Sequence, residues 1–145
     1  MTRAFFRPLA AAAIFFASVP AAAQSGDIDL RIALALKAPE VSLSSGGGVF
    51  RITSAKSGRL LNSGPMSEIT VRPHRQGIKI NDLVFPVTSV RITSPNGTVS
   101  MGGRKYRGYF VVRATEGGLI NAINHVGLED YLLGVVPSEM PVDWP

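Results

Sequence analysis

One carboxylate in this chain has a setting unlike the rest. Glu139 lies between Pro137 and Pro141, with Val136, Met140 and Trp144 close by in sequence. An acid in apolar company has its charged form desolvated, which moves its pKa toward what a general acid needs. The competing reading is a loop glutamate that caps a following helix. Asp27, Asp29, Glu40, Glu68, Asp82 and Glu116 fall on strand faces or in turns and read as solvated charges. Glu129 and Asp130 occupy the first turn of an expected helix, where the helix dipole favours negative charge. His74 and His125 are far apart in sequence and the chain has no cysteine, so no spacing suggests a metal site. The glycine runs lack the Lys-Ser/Thr of a phosphate loop, and no Gly-x-Ser-x-Gly elbow is present. No cofactor is implied.

The elements that must position Glu139 are mostly strands. From Asp27 to Lys37 the residues alternate, with Ile28, Leu30, Ile32, Leu34 and Leu36 expected on one buried face. Val41–Leu43 and Val49–Ile52 flank Gly46-Gly47-Gly48 and read as a hairpin. Ile69–Val71 and Ile78–Ile80 read as a second, and Tyr109–Arg113 with Leu119–Ile123 as a third across Glu116-Gly117-Gly118. Val87–Thr93 is a further strand, and Ser94-Pro95-Asn96-Gly97 a turn with Asn-Gly where positive φ is cheap.

The period then changes. Leu128, Tyr131, Leu132 and Val135 form one helical stripe, and Pro137 should end the helix near Val136. Asn124 is expected to cap or hydrogen-bond the turn into that helix. The fold class is therefore α+β: a β-rich body of short antiparallel strands, then one helix near 127–136. A lone helix leaves apolar surface uncovered, so a C-terminal helical part is expected to be missing.

Composition narrows the partners. The chain has 145 residues, 46% hydrophobic and 17% charged, which excludes disorder and leaves room for one modest domain. Arg3 and Arg7 precede an uncharged apolar run, Leu9–Val19, and Ala21-Ala22-Ala23 offers a cleavage site before Gln24. That is the layout of a secretory signal peptide over residues 1–23, and the run is too short to span a bilayer. Losing the leader's two arginines lowers the net charge from +5 to +3. The remaining cations are scattered, which argues against nucleic acid. The chain is expected to be exported to the periplasm or another extracytoplasmic cell-wall space, with no membrane span after cleavage. There an anionic envelope polymer and an ordinary solvated surface are both open readings of the charge.

From Tyr106-Arg107-Gly108 through Ile120-Asn121-Ala122-Ile123-Asn124 the sequence resembles the SpoIID/LytB family, named for stage II sporulation protein D and an amidase enhancer. The long string Gly127-Leu128-Glu129-Asp130-Tyr131-Leu132-Leu133-Gly134-Val135-Val136-Pro137-Ser138-Glu139-Met140-Pro141, followed by Trp144-Pro145, carries most of the likeness. The resemblance implies that residues 24–145 are the N-terminal part of that family's domain, truncated at the C-terminus. It further implies a protein acting on peptidoglycan glycan strands, either of two ways. One is a lytic transglycosylase that prefers strands stripped of stem peptides. The other is a non-catalytic enhancer of an N-acetylmuramoyl-L-alanine amidase, which would then be a second partner.

The family's catalytic glutamate maps onto Glu139. Tyr131 and Trp144 are candidates for substrate contact, each with helix or core packing as the plain alternative. Tyr106 and Arg107 either touch the polymer or finish a hairpin. A single glutamate suits a transglycosylase, because the 6-hydroxyl of a muramic residue replaces the water that ordinary hydrolysis activates with a second carboxylate.

Overall fold

The computed structural model describes residues 28–139, with side chains through Val135. The leader at 1–23, Met140 to Pro145 with Trp144 among them, and the apolar surroundings expected for Glu139 lie outside the described part. Twelve strands precede one helix. They are β1 (Asp29–Ala38), β2 (Val41–Ser44), β3 (Val49–Ser54), β4 (Leu60–Pro65), β5 (Glu68–His74), β6 (Gly77–Ile80), β7 (Leu83–Phe85), β8 (Ser89–Thr93), β9 (Thr98–Met101), β10 (Arg104–Arg107), β11 (Tyr109–Ala114) and β12 (Ile120–Gly127). The helix, α1, is Leu128–Glu139.

These strands form two six-stranded antiparallel sheets, ordered β1-β12-β11-β8-β3-β4 and β10-β9-β2-β5-β6-β7. The central strands each have one apolar face, and the inner faces of the two sheets meet in a single core. Phe50, Ile52, Val90, Ile92, Phe110, Val112, Ile120 and Ala122 come from the first sheet. Val41, Leu43, Ile69, Val71, Ile78, Ile80 and Val99 come from the second. Period-two alternation thus translates directly into a sheet-on-sheet core.

Two of the expected hairpins are present. β5 pairs with β6 through Val71 opposite Ile80, and β11 with β12 through Ala114 opposite Ile120. The third is corrected. β2 pairs with β5 and β9 in the second sheet, whereas β3 pairs with β4 and β8 in the first. The Gly46–Gly48 turn therefore carries the chain from one sheet to the other. Ser94–Gly97 does the same between β8 and β9, and the buried Ser45 and Ser94 hydroxyls, 2.8 Å apart, tie the two crossings together.

Leu36 is also corrected. The register of β1 against β12 slips between Ala33 and Ala35 and again between Ala35 and Ala38. Such a bulge shifts the alternation by one residue, so Ala35 packs on the core and Leu36 is 65% exposed.

A third crossing is the single residue Gly108, between β10 and β11. Its φ is +86°, and a Cβ there would collide with the carbonyl of His125. Gly108→Ala is expected to cost about 3 kcal/mol of stability, from left-handed strain added to a backbone clash. A denaturant midpoint equal to that of the parent chain would contradict this account of the corner.

Candidate functional site

β12 runs straight into α1: Gly127 ends the strand, Leu128 begins the helix, and the Leu128 amide donates to the Ile28 carbonyl at 2.9 Å. With no loop between them, the helix start is held by β1 and β12 rather than left to swing. Glu129 and Asp130 fall in the first turn, where the free amides of the helix favour negative charge. The helix continues to Glu139, past the end expected at Val136. Pro137 has no N–H to donate, so the last turn lacks one helical bond yet keeps helical geometry.

Between the start of α1 and the β9–β10 hairpin lies a groove of about 820 Å³. Its walls are Thr98 of β9, Arg104, Lys105, Tyr106 and Arg107 of β10, Ile32 of β1, Asn124 and Val126 of β12, and Asp130, Tyr131, Gly134 and Val135 of α1. Tyr106 stands edge-on to the buried Phe110 ring, with centroids 5.9 Å apart and planes at 80°, so the core sets the position of one wall. Arg107 donates to Asp130 at 3.1 Å and links hairpin to helix across the groove. Both side chains are about half exposed, which makes this pair a positioning contact of small energetic worth.

Asn124 is 2% exposed and does not cap the helix, contrary to expectation. Its Nδ2 donates to the carbonyls of Arg107 and Tyr109, at 3.0 and 3.3 Å. The side chain points into the Gly108 corner because β12 pairs with β11 there, and it staples the β10–β11 crossing from behind. Asn124→Ala should lower stability by about 2 kcal/mol by leaving those carbonyls without their donor. An unchanged thermal midpoint would show that the staple is dispensable.

The expected site residues are distributed as follows. Tyr131 lines the groove and is 36% exposed. Leu132 of the same stripe is 43% exposed, and Leu133 beside it 63%. Glu139 is the last residue of α1. Helical spacing sets position 139 one turn beyond Val135 on the line Tyr131–Val135–139, whose first two members face the groove. Tyr106 and Arg107 both finish a hairpin and line the groove, so the two readings of them are compatible.

Sequence reasoning missed Arg104 and Lys105; the local signal is the run Arg104-Lys105-Tyr106-Arg107, whose place beside the helix needs the pairing of β10 with β9. The groove's one acid, Asp130, faces Arg107, while no ion pair involves Arg104 or Lys105 among the described residues. The groove is therefore electropositive, with two aromatic side chains on its walls.

Elsewhere, His125 meets Asp29 at 3.2 Å and stacks on Tyr109 with centroids 4.8 Å apart, and the Arg91 guanidinium lies over the Tyr109 ring at 4.6 Å. This row crosses four strands on the outer face of the first sheet and ties β1 to its neighbours. No group of three or more His, Asp or Glu suited to a metal ion occurs among the described residues, and none of their helices is long and apolar enough to cross a membrane.

Comparison with known proteins adds one finding. Residues 116–145 match the SpoIID family model, described as stage II sporulation protein. The matched segment covers the end of the β11–β12 turn, all of β12 and all of α1, the elements that form one side of the groove. It supports membership of that family and a sporulation- or cell-wall-related protein. No curated protein and no solved structure matches the chain.

Proposed function

We propose that this chain, whose residues 116–145 carry the SpoIID signature, is exported and acts on peptidoglycan as a lytic transglycosylase, with Glu139 as its acid and base. The observation that carries the reading is the helix. Glu139 lies within the matched segment, between Pro137 and Pro141 in sequence, and ends α1 on the helical line of two residues that wall an aromatic, electropositive groove.

The chemistry needs one proton donor that becomes an acceptor. The glutamic acid gives its proton to the glycosidic oxygen as the bond to the anomeric carbon breaks. The carboxylate then takes the proton of the muramic 6-hydroxyl as that oxygen closes onto the same carbon. One bond is lost, one intramolecular bond forms, and the acid returns to its starting state with no water consumed. A groove walled by Tyr106 and Tyr131 supports such a substrate, since aromatic faces suit sugar rings and their hydroxyls can meet polar groups.

Glu139→Gln separates catalysis from binding. The variant keeps the shape of the side chain and removes its proton chemistry. Loss of cleavage supports the enzyme. A wild-type chain that cleaves nothing yet stimulates a cell-wall amidase, equally well with Glu139→Gln, would replace it with the binding reading.

A further inference from the structure

We infer that the outer face of the first sheet docks on an anionic phospholipid surface, through guanidinium groups presented to lipid phosphates. Such docking is independent of what the groove binds.

Strand register puts four arginines on that one face, because residues directly opposite each other share a side of a sheet. Arg31 of β1 lies opposite His125, Arg113 of β11 opposite Asn121, Arg91 of β8 opposite Val111, and Arg51 of β3 opposite Thr93. Val112, Val90, Ile92, Phe50 and Ile52, next to them in sequence, fill the core, so the arginines face outward. All four are exposed, and none belongs to an ion pair among the described residues.

The six strands of this sheet hold these four arginines, Lys37 at the irregular end of β1, and a single acid. That acid, Asp29, is already engaged by His125 at 3.2 Å. The Arg91 guanidinium lies over the Tyr109 ring at 4.6 Å, and Tyr109 stacks on His125, so one member of the array is held in place before any ligand arrives. In the second sheet, by contrast, Arg72 is taken by Glu40 at 2.6 Å and Arg107 by Asp130 at 3.1 Å. There Lys79 of β6 is separated from Arg104 and Lys105 of β10 by three strands.

The shape of the array selects the partner. From β1 to β3 is five neighbouring strands, about 19 Å at a strand spacing of about 4.8 Å. Charges spread over two dimensions suit a surface, whereas a polymer strand follows a line or a groove. A guanidinium can take two phosphate oxygens at once, which an ammonium cannot do. Docking there also leaves the groove open: Asn124 and Val126 line it from the inner side of β12, while His125 between them faces outward beside Arg31. The plain alternative is a solvated face that keeps the protein soluble, a role that needs no lipid and no particular placement of charge.

The test is sedimentation of the chain from Gln24 onward, which holds every described element, with vesicles of phosphatidylcholine alone or mixed with phosphatidylglycerol. The leader is omitted because its apolar run would bind lipid by itself. At low salt the anionic vesicles should bind the chain about tenfold more tightly than the neutral ones, and the difference should shrink as salt rises. Arg91→Gln with Arg113→Gln should weaken that binding about tenfold or more, since each cation near such a surface is worth about fivefold. Arg91→Lys with Arg113→Lys keeps both charges and should retain most of the binding, which guards against a misfolded variant. Arg75→Gln with Lys79→Gln removes the same charge from the β5–β6 hairpin and should change binding by less than about twofold.

Equal binding to neutral and anionic vesicles, or equal losses from the two double glutamine changes, overturns the inference. So does a parent chain that ignores vesicles yet binds a soluble poly(glycerol phosphate), which would make the face a reader of polymers. Glu139→Gln should bind vesicles as the parent does, so failure here leaves the reading of the groove untouched.

Discussion

Glu139→Gln is expected to lower the rate of glycan-strand cleavage by about 10³-fold or more while strand affinity stays within a few-fold of the parent. The size follows from the double duty of one group. General acid or base assistance alone contributes about 10²–10⁴-fold, and here a single carboxyl supplies both in sequence. Glutamine is nearly isosteric and can neither give the first proton nor take the second. Its loss should appear in kcat with little change in KM, because the groove walls contributed by β10, β12 and the first two turns of α1 are untouched. Single-turnover kinetics beside equilibrium binding check this. A variant within tenfold of the parent rate would remove Glu139 from the chemistry.

The largest structural effect should come from Phe110→Ala. Phe110 is wholly buried on β11, opposite Ile92 of β8 and Asn124 of β12, and its ring meets the edge of Tyr106. Deleting the ring costs transfer energy and leaves a cavity in a rigid sheet, about 3–5 kcal/mol in all. Against a typical domain stability of about 5–15 kcal/mol that is a large share. Tyr106 also loses the ring that orients it, so oligosaccharide binding should weaken at temperatures where the variant is still folded. Phe110→Leu refills much of the space and should lose less of both. Urea unfolding and binding of the two variants test the link; stability lost without any change in binding would show that the groove wall stands independently of the core.

The contrast between these residues shows what was readable beforehand. Burial followed from alternation: Phe110, Val112, Ile120 and Ala122 lie inside because period two sends them there. Partner choice did not. Val41–Leu43 and Val49–Ile52 each announce a buried face, but nothing local says whether the turn between them joins neighbours or crosses between sheets. The answer lies in long-range pairing of β2 with β5 and of β3 with β8. Leu36 was misplaced for a related reason, since the bulge in β1 is set by its register against β12.

At the site, the helix and its acidic first turn were legible from the 3.6-residue period, whereas its extension to Glu139 was not, because Pro137 reads as a stop. For Tyr131 substrate contact and helix packing both stood open, because a stripe reports where a helix is apolar, not what covers it. The cations opposite were hidden more deeply. Arg104 and Lys105 meet α1 only because β10 folds back on β9 and Gly108 then turns the chain into the other sheet. Asn124 looked like a cap from its distance to the helix and proved to be the staple of that corner.

The most direct test of the central claim is the chemistry of the ends left on cleaved strands. The full chain and its Glu139→Gln variant would each be incubated with peptidoglycan glycan strands lacking stem peptides, and the products read by mass spectrometry. The account predicts ends carrying 1,6-anhydromuramic acid, one water lighter than hydrolysed ends, from the parent and none from the variant. Hydrolysed reducing ends, or intact strands from a folded chain that still sediments with cell wall, would contradict it.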